Sequence, residues 1–314
     1  MRTRRSQSSN DSMPPEGLSP QTEHRTVLLH EAVDSLDIQP ADIVVDGTLG
    51  GAGHSKLILS RLGKQGALIG FDADQDAIER GKSALLDTDA SVRFVNANFR
   101  EMKAELEKLN VGRINKALFD LGWSSFQLSA GRGFSFLTDE PLSMAYAKDH
   151  ALTAATIVNE WSEESISDVI YGWGEERYSR RIAKRIVEER AKQSIKTARE
   201  LADIIKAAVP SAYRYGRIHP ATKSFQALRI AVNDELGALT EALRASWQML
   251  DSGGRIAVIS FHSIEDRIVK QQFVEWVGDG VGTKITKKPI TPSAAEIASN
   301  PRSRSAKLRV IEKI

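Results

Sequence analysis

The stretch VVDGTLGGAGHS, Val44–Ser55, decides the reading of this sequence. Ile43, Val44 and Val45, closed by Asp46, form a short branched apolar run that reads as a buried strand. Gly47, Gly50, Gly51 and Gly53 follow within a few residues, and HSKLILSRL then reads as a helix. Strand, glycine turn and helix together are a nucleotide-binding arrangement.

Working outward, GALIGFDAD predicts a second strand ending at Asp72, SVRFVNANF a third ending near Asn96, and NKALFDLGWSS a fourth ending at Asp120. Helical segments separate them, and His24–Leu36 precedes them as a helix. That alternation belongs to an α/β fold with a parallel sheet covered on both faces. From about Phe126 to Tyr215 the alternation stops. TAATIVNEWSEESISDVIYGWG, SRRIAKRIVEERAKQ and TARELADIIKAAV each read as a helix. Thr197 and Glu200 have capping-box spacing at the start of the third, and Pro210 ends it. A long amphipathic helix is expected from about Phe225 to Leu250. SGGRIAVISFHS resumes the sheet as a fifth strand, and GTKITKK with SAKLRVIEKI suggests a terminal antiparallel pair. The expected organisation is a disordered tail over 1–22, a sheet domain over 23–125 and 217–314, and a helical insertion over 126–216.

The 314 residues are 41% hydrophobic with a formal charge of +2, enough for a substantial core and nearly balanced in charge. A nucleic-acid partner would therefore need a local basic patch. With no Cys there are no disulfides and no thiolate chemistry, which fits the cytosol. No apolar run approaches a membrane span, and the polar start is no secretory signal. The six His have no close metal-ligand spacing, and no metal is expected.

Three ligand classes compete for the glycine turn. A phosphate loop needs G-x-x-x-x-G-K-[ST], but His54 follows the glycines and Lys56 comes too late. A dinucleotide loop needs G-x-G-x-x-G, a spacing GTLGGAGHSK lacks. S-adenosylmethionine remains: its loop approaches a ribose and an amino-acid group, with no pyrophosphate. Asp46 is placed for the ammonium, Asp72 for the ribose hydroxyls, and Asn98 with Phe99 for the adenine. The alternative is that the glycines only make a tight turn and Phe99 is core.

The fourth strand ends in DLGWSS, Asp120–Ser125. Methyltransferases of exocyclic base amines often carry here an Asp or Asn, two bend residues and an aromatic, and Asp120-Leu121-Gly122-Trp123 resembles that pattern. The N4 amine of cytosine is a weak nucleophile because its lone pair is delocalised into the ring. An acceptor must draw the nitrogen toward tetrahedral geometry. The Asp120 carboxylate or a carbonyl in Leu121-Gly122 would serve. The base must leave its stack to reach the methyl group, and Trp123 is either the platform that receives it or a core residue.

At this point the chain resembles the RsmH (MraW) family of bacterial rRNA methyltransferases. The matching stretches run from about His24 to the C-terminus. They include HRTVLLHEAVDSL, DGTLGGAGHS, GFDADQDAI, LFDLGWSSFQLS, GRGFSF, YGWGEERYSRRIAKRIVEER, HPATKSFQALRIAVNDEL, GGRIAVISFHSIEDRIVK and NPRSRSAKLRV. The resemblance implies a Rossmann-like class I S-adenosylmethionine-dependent methyltransferase with a helical insertion domain. The implied reaction is methyl transfer to N4 of cytidine 1402 of 16S rRNA in the small ribosomal subunit, in the cytoplasm. Cofactor contacts are implied for Ala52, Gly53, His54, Asp72, Phe99, Asp120 and Gln127. The chain departs from the family at Ala52, where Gly is common and a methyl requires negative φ. It departs also at Trp123, Phe126, Ser143 and Ala145.

Between Arg177 and Lys192, basic residues far outnumber the two acids Glu188 and Glu189. Arg181, Lys184 and Arg185 share a helical face and suggest a phosphate-tracking stripe, against the alternative of a solvated surface. Arg302, Arg304 and Lys307 form a second candidate patch. His262, just after the fifth strand, would contact the base or a phosphate, and His219 would do so or hold the domain junction. The resulting expectation is an rRNA cytosine-N4 methyltransferase with Asp120 and Trp123 as catalytic residues and Arg181, Arg185 and His262 on the RNA. A DNA amino-methyltransferase, a non-catalytic assembly factor and a dehydrogenase are the rivals, the last failing on glycine spacing.

Overall fold

In the computed structural model the described residues are 25–314 except 87, 123–130, 148–149 and 217. Trp123, Gln127 and the tail 1–22 lie outside them. Seven strands form one sheet in the order β3-β2-β1-β4-β5-β7-β6. They are β1 Ile43–Asp46, β2 Ala67–Asp72, β3 Ser91–Asn96, β4 Ile114–Asp120, β5 Leu250–Ser260, β6 Gly282–Lys284 and β7 Lys307–Lys313. The first five in that order run parallel, and β7 is antiparallel to both β5 and β6. This is the Rossmann-like class I methyltransferase topology. The order reverses between β1 and β4, the switch point outside whose carboxyl ends such sheets bind ligands.

Alternation along each strand builds two cores. Val44, Leu68, Leu118 and Ile259 join one face, under helices Leu29–Leu36, Gly53–Leu59 and Gln75–Ala84. Val45, Ile69, Phe119 and Val258 join the other, under helices Met102–Lys108, Glu235–Met249 and Ser263–Gly278. Strands covered on both faces must be apolar throughout, which is why they stood out as continuous runs.

A third core is helical. It gathers Leu142, Ile157, Ile170, Ile186, Leu201 and Ile205 from the interrupting segment. It reaches past residue 216 to Phe225, Leu228 and Val232 on helix Thr222–Asn233. Two expected helices are broken. The first splits into Ala154–Glu160 and Glu163–Gly174, because Trp161 is extended and Ser162 caps the second helix by accepting from the Ser165 amide. The long helix expected over 225–250 breaks at Asp234, whose φ is 44°. Helix Ala198–Ala208 starts on the Thr197–Glu200 capping box and is followed by extended Val209 and Pro210.

Candidate functional site

The turn after β1 is stitched to its neighbours. The Gly47 amide donates to the Leu118 carbonyl of β4 and the Leu49 amide to the Phe71 carbonyl of β2, each at 2.9 Å. Gly50 has φ +50°, and its amide donates to Asp72 Oδ2 at 2.9 Å. Asp72 Oδ1 accepts the Asp74 amide, also at 2.9 Å. Each Asp72 oxygen thus holds one amide and keeps a lone pair for a hydroxyl donor. Burial is the main reason the Asp72 carboxyl is pushed up to about 6, with those amides opposing and the Asp74 and Asp46 charges adding.

Asp46 is buried, and its two oxygens accept the Ser55 hydroxyl at 2.7 Å and the Thr48 amide at 3.1 Å. It therefore shapes the turn. Gly53 opens the following helix, where an added Cβ would lie 1.8 Å from Thr26 Oγ1. Ala52 corrects the sequence expectation: its φ is +61°, not negative. The left-handed conformation costs an L-residue roughly 1–2 kcal/mol, which its full burial helps to offset.

Asp120 closes β4 beside this turn. Its amide donates to Thr48 Oγ1 at 2.7 Å. Its Oδ2 lies 3.7 Å from His54 Nδ1, while His54 Nε2 lies 3.1 Å from the Val27 carbonyl. The His54 ring is thus buried below Asp120. Asp120 Oδ1 is buried with no hydrogen-bond partner among the described residues. Burial, then the charges of Asp46 and Glu265, raise this carboxyl well above the ordinary range. A carboxylate held without a partner is costly unless a ligand supplies the donor.

The end of β5 carries a second set of ionisable groups. His262 caps helix Ser263–Gly278, accepting the Glu265 amide on Nδ1 at 3.4 Å, and Glu265 Oε2 accepts the amides of Phe261 and His262. His262 Nε2 lies 3.1 Å from Glu265 Oε1, without the alignment of a hydrogen bond. Glu265 is held below the ordinary carboxylate range: burial pushes its pKa up, and contacts with His262 and Arg229 outweigh it.

Folding brings Glu235 to this pair, so that ligand atoms of Glu235, His262 and Glu265 all lie within 4.8 Å of one another. Arg229 already grips both Glu235 oxygens at 2.8 Å, and the Tyr146 hydroxyl donates to Glu235 Oε1 at 2.7 Å. The protein's own guanidinium supplies the cation this cluster needs.

A strap over 131–146 joins the two ends of the site. Arg132 donates to both oxygens of Asp74 beside Asp72, and to the carbonyls of Ala145 and Tyr146. Asn233, at the helix break, accepts the Tyr146 amide at 2.9 Å and donates to the Met144 and Arg229 carbonyls. Sequence reasoning missed Arg132, Tyr146, Asn233, Arg229 and Glu265. A legible sign was present only for Glu265, where HSIE carries the capping-box spacing with His in place of Ser.

The remaining expected residues are placed as follows. Phe99 is half-buried and meets Phe119 edge-on at 5.9 Å. His262 stands at the same sheet edge as Asp72 and Asp120, as its position after β5 requires. Arg181 is exposed on helix Ser179–Arg190, whereas Arg185 is paired with Glu189 at 2.7 Å and Glu188 at 3.6 Å. His219 stacks on Phe136 at 4.4 Å and accepts the Ala221 amide, a packing role. No helix among the described residues is long and apolar enough to cross a membrane.

The model of the MraW methylase family matches residues 21–314. Curated relatives share this length. A Ribosomal RNA small subunit methyltransferase H of Clostridioides difficile is 45% identical over 307 residues, covering 93% of this chain and 99% of the relative. Proteins of the same name from Brevibacillus brevis and Acetivibrio thermocellus are each 46% identical, covering 93% of this chain and 98% and 99% of the relatives. The glycine turn and the free lone pairs of Asp72 suit a methyl donor with ribose hydroxyls. The chain belongs to the MraW methylase family, enzymes whose methyl donor is S-adenosylmethionine.

Proposed function

We propose that this chain methylates N4 of cytidine 1402 in 16S rRNA of the small ribosomal subunit, in the cytoplasm. The observation that carries the reading is Asp120 Oδ1, a buried carboxylate oxygen at the end of β4 without a partner among the described residues. An exocyclic amine presents the N–H donor that this oxygen lacks. The relatives' shared name supports small-subunit rRNA as the substrate. The Asp120-Leu121-Gly122-Trp123 pattern supports an exocyclic amine as the acceptor, and the resemblance to the RsmH family implies cytosine N4.

S-adenosylmethionine supplies a methyl group on a cationic sulfur. Asp72 receives the ribose hydroxyls, Phe99 and the Gly53–His54 backbone line the donor site with Ala52, and Gln127 completes it. Asp120 accepts a hydrogen bond from the amine and draws its lone pair out of conjugation. The burial that raises the Asp120 carboxyl also makes it a better acceptor for the proton the amine must lose. The Leu121 carbonyl is the alternative acceptor for the second amine hydrogen. Trp123 stacks on the flipped base. His262 contacts the base or its phosphate, and the helical segment 126–216 carries the RNA on Arg181 and Arg185.

The test is transfer of labelled methyl to undermethylated small subunits, followed by nucleoside analysis. N4-methylated cytidine at 1402 is expected. Tight cofactor binding without transfer, or label on another nucleoside, would overturn the reading.

A further inference from the structure

We propose that the exposed Arg177 guanidinium, backed by the half-buried rings of Tyr178 and Tyr213, forms with exposed Tyr215 a stacking platform for a base of single-stranded RNA next to the target nucleotide. This rests on the reading of the chain as an RNA methyltransferase and extends it to a recognition site separate from the phosphate stripe.

The platform is built on a buried acid. Glu176 is fully buried, and its Oε1 accepts the Tyr178 amide at 2.8 Å while its Oε2 accepts the Tyr213 hydroxyl at 2.5 Å. These bonds fix two aromatic rings edge to face, 5.0 Å apart. The Arg177 guanidinium lies over both, 4.8 Å from the Tyr178 centroid and 5.2 Å from that of Tyr213. Arg177 is itself exposed. A flat cation backed by rings keeps its outer face for a nucleobase, and its charge for the adjoining phosphate. Tyr215, two residues beyond Tyr213, is 83% exposed. A large aromatic side chain left in water suits a base, because every base offers a π-face.

Charge and position agree on RNA as the occupant. Arg180, Arg181 and Lys184 are exposed nearby in sequence and have no ion-pair partner among the described residues. Arg185, by contrast, is paired within its own helix. Glu175, the residue before the buried acid, accepts from the Ser263 hydroxyl at 2.9 Å and from Arg267 at 2.8 Å. Ser263 follows His262 at the carboxyl end of β5. The platform is thus pinned beside the sheet edge at which the target base must enter, where a neighbouring nucleotide would lie.

The experiment measures polarisation of a fluorescein-labelled single-stranded oligoribonucleotide of about 20 nucleotides bound to the full chain, across a salt series. Tyr215→Ala should weaken binding roughly tenfold, within the range for loss of one stacked base, and leave the salt slope unchanged. Tyr215→Phe should retain the wild-type affinity. Arg177→Ala should weaken binding and lower the salt slope by about one phosphate contact. Binding of S-adenosylhomocysteine should be unaffected in all three. Wild-type affinity in Tyr215→Ala, equal weakening in Tyr215→Phe, or no RNA binding by the wild type would each overturn the platform. Platform-dependent RNA binding without methyl transfer would overturn the proposed reaction instead and leave the platform standing.

Discussion

Arg132 donates to both carboxylate oxygens of Asp74, at 3.3 and 3.2 Å, and so fastens the strap over 131–146 to the end of β2. Their side chains are only 12% and 4% exposed. Asp74 in turn gives its amide to Asp72, so the grip on one acid shapes the next. Arg132→Ala leaves the Asp74 charge buried and should cost about 3–5 kcal/mol of stability in denaturant unfolding. It should also raise the KM for the methyl donor more than it lowers kcat. Arg132→Lys restores the charge without the fork and should recover only part of the loss. A variant as stable as the wild type would show that the strap is held elsewhere.

Asp72 predicts two opposite pH effects. Its carboxyl is raised to about 6 in the folded chain, against an ordinary value near 3.8. In the free protein, the stability this group contributes is present below about 3.8 and is lost as pH rises through about 6. Donor binding needs the carboxylate as acceptor and runs the other way. Affinity for S-adenosylhomocysteine, measured by calorimetry, should be full above pH 7 and fall about tenfold for each unit below about 6. Asp72→Asn should bind weakly at every pH and remove that dependence. A flat wild-type profile would take Asp72 away from the ribose.

Ala52 tests how three small terms balance. Replacing it with Gly relieves left-handed strain of roughly 1–2 kcal/mol. The change also loses about 0.8 kcal/mol from one buried methyl and about 0.4–1 kcal/mol through a freer unfolded chain. The terms nearly cancel, so Ala52→Gly should shift stability by less than about 1 kcal/mol. Ala52→Val adds a β-branch at a positive φ and should destabilise clearly. Thermal melts of both variants decide this.

What the sequence revealed depended on how local the physics was. β1, β2, β4 and the β5 core were legible because strands covered on both faces must be apolar, and because an acid ended three of them. The break at Asp234 was not. Apolar spacing continues from Leu228 and Val232 to Leu239, and only Asn233, bonded to Tyr146 and Met144 far back in the chain, shows that the helix stops. Arg229 and Glu235 stand six positions apart, where an unbroken helix would turn them to different sides. The left-handed Asp234 between them allows the pairing. Arg185 shows a further limit of spacing: helical periodicity puts it on a basic face but does not reveal that it also pairs with Glu188 and Glu189 one turn on. Asp120 could be nominated from its place at a strand end, yet its lack of a partner among the described residues is visible only in three dimensions.

That lack sets function against stability at one residue. Asp120 is disfavoured as a carboxylate by burial and by the charges of Asp46 and Glu265, and within the described residues its Oδ1 gains no bond in return. Asp120→Asn removes the charge and keeps the shape. It should therefore raise the melting temperature at neutral pH while lowering kcat roughly 10²–10⁴-fold, the usual range for a lost proton acceptor. The KM for the donor should change much less than kcat. The same comparison at pH 5, where the wild-type carboxyl is more protonated, should narrow the stability gap, because the raised group loses its folding contribution only as pH rises. A variant that is both less stable and inactive would mean that Asp120 is a structural residue whose partner lies elsewhere. A stable variant with normal turnover would hand the acceptor role to the Leu121 carbonyl.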